Sequence, residues 1–184
     1  MGRRDEVLDA AIAVLGTRGV RGLTHRAVDA AAGAPAGTTS NHFRTREALF
    51  DGIVDRFAER ERAALPGDPP GSPAGLAEAL ATFAVTATTG RRDVTLARFA
   101  LLVEAANRPH LQRKLGETAA GVTGWAVDWV RAAGSRHPER DAALLGAQMD
   151  AMVLHQLAYP APAFDPAAAL TALIGALFTR PGSR

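Results

Sequence analysis

The chain has no cysteine among its 184 residues, which excludes a disulfide scaffold, a cysteine-ligated zinc finger and a thiol nucleophile together. It has no run of about 18 apolar residues, so no membrane span is expected. The opening MGRRDEVLD passes from two arginines straight into acids and leaves no uninterrupted apolar stretch of the kind a secretory signal needs. A cytoplasmic protein is expected from these absences. His-x-x-x-His and Glu-x-x-His spacings are missing, the five histidines are scattered at 25, 42, 110, 137 and 155, and no glycine loop suited to a phosphate occurs. Neither a metal, a cofactor nor an enzymatic activity is expected. Sustained alternation of apolar and polar residues, the mark of half-buried strands, is absent as well.

What remains is a chain of 47% apolar and 22% charged residues, ordinary for a globular protein. Its net charge is only +2, although the pI is about 9.9. With one tyrosine and no cysteine to release protons, a small excess of arginine moves the pI far upward. The distribution is more informative. Residues 1–46 hold Arg3, Arg4, Arg18, Arg21, Arg26, Arg44 and Arg46 against Asp5, Glu6, Asp9 and Asp29, a head of +3 on a body of −1. A nucleic-acid reader needs its charge concentrated in this way.

Glycine and proline punctuate an all-helical pattern. Leu8, Ala11, Ile12 and Leu15 give a first helix one apolar face, with Gly16-Thr17-Arg18-Gly19 as its expected end. Thr24 can cap a second, short helix that stops at Gly33, with Val28 and Ala31 inward. A third is expected from Pro35 to about Asn41, because proline at the first helical position loses no hydrogen bond. A fourth follows Thr45, with Leu49, Ile53 and Phe57 on one face, and ends before Pro66. The segment PGDPPGSPAG at 66–75 can hold no regular helix. Further helices are expected at 75–89, with Leu76, Leu80, Phe83 and Ala87 at helical spacing, and at 92–107, 109–133, 138–158 and 166–179. The domain boundary is placed at residue 45, where the fourth helix begins: 1–45 as a DNA-binding domain and 46–184 as a helical ligand-binding and dimerisation domain.

Two short helices joined through a glycine, the second rich in small hydroxylated residues, form the pattern of a helix-turn-helix. In such a module the second helix lies in the major groove and the first crosses the backbone. Ala36, Gly37, Thr38 and Thr39 would let that helix approach the base edges, and Thr, Ser and Asn can exchange hydrogen bonds with bases or phosphates. Taken singly, Thr24 is an N-cap, His42 a surface histidine, and Arg44 and Arg46 solvated charges. Their order is what carries the reading.

That order resembles the tetracycline-repressor family of bacterial transcription regulators. The matching parts are the opening helix with its Thr17-Arg18-Gly19 end, Leu23-Thr24, Gly33, Gly37-Thr38, His42-Phe43 and Arg46-Glu47-Ala48-Leu49. The resemblance covers about the first 55 residues. It implies that Thr24 and Arg26 hold phosphates, and that Pro35, Ala36, Gly37, Thr38, Thr39, Ser40 and Asn41 form the recognition helix. It further implies that His42 meets a phosphate and that Arg46 contacts the DNA backbone. Ser40 departs from the pattern, since an aromatic, usually tyrosine, is common there.

The resemblance also implies a homodimer on a palindromic double-stranded operator, paired through the last two helices, and release by a small-molecule effector bound in the larger domain. Candidate effector contacts are Phe83, Phe99, Val103, Trp125, Trp129 and Met152, with Asn107, Gln148 and His155 as polar groups. An aromatic stripe at helical spacing is also what plain core looks like. Two other readings stay open: a DNA-binding regulator that answers to a protein partner or to nothing, marked by an overfilled interior, and a small helical enzyme.

Overall fold

The computed structural model describes residues 2–64 and 68–179. Pro66 and Gly67 of the proline-rich break therefore lie outside the described residues. Among those residues all elements are α-helices: α1 (Arg3–Gly22), α2 (His25–Ala31), α3 (Thr38–His42), α4 (Arg46–Ala64), α5 (Pro73–Thr88), α6 (Arg92–Ala105), α7 (Pro109–Ala132), α8 (Pro138–Ala158) and α9 (Pro166–Phe178). Local sequence explains most starts. The Thr24 hydroxyl accepts the Ala27 amide at 3.1 Å, Thr45 accepts that of Ala48 at 3.0 Å, Ser72 that of Gly75 at 3.1 Å and Asp165 that of Ala168 at 3.0 Å. Each satisfies an amide that the first turn leaves free.

α1 breaks at Gly19 (φ 65°, ψ −176°), within the Gly16–Gly19 segment expected to end it, and a last turn runs on to Gly22. α3 differs from its sequence expectation and begins at Thr38, not at Pro35. Pro35 instead opens a turn whose carbonyl takes both the amide and the hydroxyl of Thr38. Gly37, at φ 92°, is the N-cap, a left-handed conformation that a side chain would disfavour.

The packing falls into two units, 1–65 with 91–120, and 66–90 with 121–184. This division differs from the boundary expected at residue 45. In the first unit the buried residues of α1, among them Leu8, Ile12 and Leu15, share one core with Val28, Phe43, Leu49, Ile53, Ala97, Leu101 and Leu111. The three-helix head therefore has no core of its own. Ala31 is exposed, unlike Val28. Arg56 of α4 grips Asp9 of α1 with two bonds, 2.7 and 2.9 Å, and Arg60 adds a third at 3.0 Å. Burial acts against the Asp9 charge, but these two guanidiniums outweigh it and hold the carboxyl below its usual value.

In the second unit α5 packs on α9 and α8. Alanines at 77, 81, 84 and 87 occupy the buried face of α5, and Phe83 stands on the outside at 61% exposure. Leu145, Met149, Val153 and Leu157 form the inner stripe of α8.

At Gly16 the backbones of α1 and α6 come close together: a Cβ there would lie 2.0 Å from the Asp93 carbonyl oxygen. Gly16→Ala therefore has to separate α1 from α6 and should lower stability by about 2 kcal/mol. Gly116→Ala, on a helical site with open space, should raise it by up to about 1 kcal/mol. Denaturant midpoints compare the two, and equal gains would contradict the close crossing.

Candidate nucleic-acid interface

α3 has five residues, too few to be stable as an isolated helix, so other groups must hold it. The holder is Asp29 of α2, 5% exposed. One carboxylate oxygen accepts the Gly37 amide at 2.8 Å. The other accepts the Thr39 amide at 2.7 Å and the Thr39 hydroxyl at 2.5 Å. Burial alone would raise the pKa, but the three donors, with His25 nearby, outweigh it and hold the carboxyl below its ordinary 3.8. The far end of α3 is held as well. Nε2 of His25 lies 2.7 Å from the carbonyl oxygen of Phe43. A carbonyl only accepts, so Nε2 carries the ring proton. α2 thus clamps α3 at both ends.

These clamps decide which side chains face out. Thr39 is fully buried and its hydroxyl is bound to Asp29, which removes it from the expected contact set. Ser40, Asn41 and His42 are exposed, as are Thr24, Arg26, Pro35 and Ala36, while Gly37 and Thr38 are half-buried. Thr38 donates its hydroxyl proton to Pro35 and Ser40 donates to Gly37 at 2.9 Å. Each oxygen keeps lone pairs, and the Thr38 methyl remains. Pro35 and Ala36 precede α3 and do not belong to it.

Arg46 is placed differently from its expected role. Its guanidinium donates to the carbonyls of Leu23 at 2.9 Å and Val20 at 2.5 Å and lies 5.5 Å from the Phe50 ring centroid. Arg46 closes the C-terminal carbonyls of α1 and ties them to the head of α4. Asp29 and His25, which hold α3, are not singled out by the sequence. Asp29 stands eight and ten positions from its partners, a spacing that no helical period singles out.

The nine expected effector contacts are divided between the two units. Phe99, Val103 and Asn107 belong to the first unit, and Phe83, Trp125, Trp129, Gln148, Met152 and His155 to the second. Val103 is 68% exposed, because α6 turns Ala97, Leu101 and Ala105 inward. Phe83, Asn107, Gln148 and His155 are exposed too. Phe99 and Trp129 are buried, and Trp125 and Met152 half-buried. Trp125 and Trp129 pack with ring centroids 4.3 Å apart. The buried indole nitrogen of Trp125 has no hydrogen-bond partner among the described residues.

A groove of about 530 Å³ between α5 and α9, edged by Glu78, Thr82 and Asp165, is lined by none of the nine. Asn107 alone reaches a smaller pocket of about 180 Å³ beside Phe50 and Arg108. Among the described residues no group of three or more His, Asp or Glu could hold a metal. No helix among them is long and apolar enough to cross a membrane.

Residues 71–180 match the family described as "Tetracyclin repressor-like, C-terminal domain", and residues 7–53 match "Bacterial regulatory proteins, tetR family". No match was found among curated proteins. Among solved structures, a transcriptional regulator from Rhodococcus sp. Rha1 is similar at TM-score 0.81 and 24% identity over 96% of each chain. The multidrug binding protein EbrR complexed with imidazole is 30% identical at TM-score 0.70, over 100% of this chain and 98% of its own. Its complex with ethidium aligns at 29% identity and TM-score 0.72, over 97% and 100%. A TetR-family member from Streptomyces coelicolor A3 is 30% identical at TM-score 0.74, over 98% and 100%.

The Asp29 brace has a pH signature. A carboxyl whose folded pKa lies below 3.8 adds stability above that pH and loses it as the pH falls through the folded value. Asp29→Asn should cost about 2 kcal/mol at neutral pH, and the gap to the unmodified protein should close below about pH 3.8. Denaturation across pH measures this, and a gap that stays constant into acid would contradict the assignment.

Proposed function

Because this chain belongs to the tetracycline-repressor family of bacterial transcription regulators, we propose that it is a homodimeric repressor, released from a palindromic operator by a small-molecule effector. The observation that carries the DNA-binding part is the two-ended clamp of α2 on α3. It leaves Asn41 and His42 exposed and Thr38 half-buried, and Arg26 and Arg44 are exposed as well. Phosphate contacts from arginine, threonine and histidine would set register, and Thr38 and Asn41 would meet base edges. Residues 1–45 carry this part of the proposal and 46–184 the effector and dimer functions.

One such head has few free cations, and two on a symmetric site would add their contacts. Half-sites of such dimers lie about 34–36 Å apart or at multiples of that distance. Two helices supply apolar surface for pairing. Leu144 and Leu154 on α8 are 46% and 42% exposed, with exposed Ala147 and Ala151 between them. α9 carries no charge and exposes Ala168, Ala172, Gly175 and Ala176. Leucine and alanine left outward on adjacent helices favour a second copy of the same surface.

An effector acts only if it binds the DNA-incompetent state more tightly. EbrR, solved with imidazole and with ethidium, supports a small organic ligand. The Trp125–Trp129 pair and the Trp125 N–H, unpartnered among the described residues, favour α7 as its site, and Met152 is the other candidate in the second unit that is not exposed. The first half of α7 offers a route to the DNA-binding head. His110 pairs with Asp51 of α4 at 2.9 Å and Lys114 with Asp55 at 2.6 Å. The Asp55 carboxylate holds the Lys114 pKa above its usual value.

Genomic fragments retained by the purified protein supply the operator. Thr38→Ala combined with Asn41→Ala should weaken binding to them by about 2 kcal/mol or more, from lost base contacts, with dimer and melting temperature unchanged. Undiminished affinity, or a footprint without two-fold symmetry, would contradict the proposal.

A further inference from the structure

Arg4 sits where local helix energetics disfavour it. The first turn of α1 is Arg3, Arg4, Asp5 and Glu6. The positive end of the helix dipole favours the two acids there and disfavours the two arginines. Arg3 is compensated by its ion pair with Glu6 at 2.7 Å. Arg4 makes no ion pair among the described residues and is exposed. Its guanidinium lies instead 5.3 Å from the centroid of the Phe43 ring.

That ring is in the middle of the DNA-facing module. Phe43 is the C-cap of α3 and is 4% exposed, and its carbonyl is fixed by His25. Its chain neighbours His42 and Arg44 are both exposed, and the His42 ring lies 6.3 Å from that of Phe43. A guanidinium resting on an aromatic face leaves the N–H donors on its rim free. Planar donors held on a rigid ring suit bidentate capture of a phosphate better than a freely moving side chain would.

We infer that Arg4, carried by α1 and seated on Phe43, is a DNA-backbone contact at the C-terminal end of the recognition helix. Its partner is a phosphate of duplex DNA, and it adds affinity without sequence preference. Arg4 and Arg44 then take the phosphate-holding work that Arg46, bound to the carbonyls of Val20 and Leu23, does not do. This inference rests on the reading of α3 as the recognition helix.

The test measures binding to a fluorescein-labelled duplex of arbitrary sequence across a salt series. It compares the unmodified protein with Arg4→Gln, Arg4→Lys, Arg3→Gln and Arg26→Gln. Arg4→Gln should flatten the slope of log affinity against log salt by about 0.9 per protomer. Arg4→Lys, which keeps a cation on the ring, should retain most of the slope. Arg3→Gln should leave it unchanged. An Arg4→Gln slope equal to that of the unmodified protein, while Arg26→Gln lowers it, would overturn the Arg4 contact alone. Equal losses for Arg3→Gln and Arg4→Gln would overturn it too, since the effect would then be one of general charge. Duplex binding absent from the unmodified protein would instead remove the recognition-helix reading and the Arg4 contact with it.

Discussion

The carboxylate of Asp29, buried and holding three donors of Gly37 and Thr39, is the interaction on which the DNA-facing module depends. A buried charge without partners would be prohibitive. With two amides and a hydroxyl it becomes a strong, directional anchor. It supplies what a five-residue helix lacks, a fixed first turn. The His25 ring on the Phe43 carbonyl supplies the other end. α2, itself capped by Thr24 and packed through Val28 into the core of α1, therefore sets the orientation of α3 before any DNA is present. Preorganisation of this kind lowers the ordering cost of binding.

The cations of the head divide into structural and available groups. Arg46 closes the end of α1 and Arg3 answers Glu6. Arg4 rests on Phe43, and Arg26 and Arg44 are exposed. Of the seven arginines in residues 1–46, Arg3 and Arg46 are thus engaged within the fold, and Arg18 and Arg21 are exposed as well. Further back, Arg56 and Arg60 on Asp9 hold α4 to α1, and His110 and Lys114 hold it to α7. α4 is consequently gripped by α1 and by the first half of α7.

Local signals were legible in the sequence and long-range ones were not. Thr24 and Thr45 read as caps and act as caps, because a hydroxyl and an amide three residues apart meet whatever else the fold does. The order of Gly37-Thr38, His42-Phe43 and Arg46-Glu47 identified the family for the same reason, being a contiguous pattern. The helix break at Gly19 is legible in the sequence, whereas the close approach of Gly16 to the backbone of Asp93, seventy-odd positions away, is not. Pro35 was read as a helix start, yet its carbonyl closes a turn that Gly37 completes. Thr39 looked like one more hydroxyl for DNA until Asp29 claimed it. Among the effector candidates, Phe83 lies outside because alanines fill the α5 seam, and Val103 because α6 buries Ala97, Phe99, Leu101 and Ala105 instead. Helical spacing alone cannot rank two apolar faces of one helix.

Exchange of the Gly37 and Thr39 amide protons in the DNA-free protein tests the central claim most directly. If Asp29 holds α3 in place before DNA arrives, both amides exchange as slowly as those in the middle of α1. Exchange at the rate of an open loop would contradict the brace and the preformed recognition helix that rests on it.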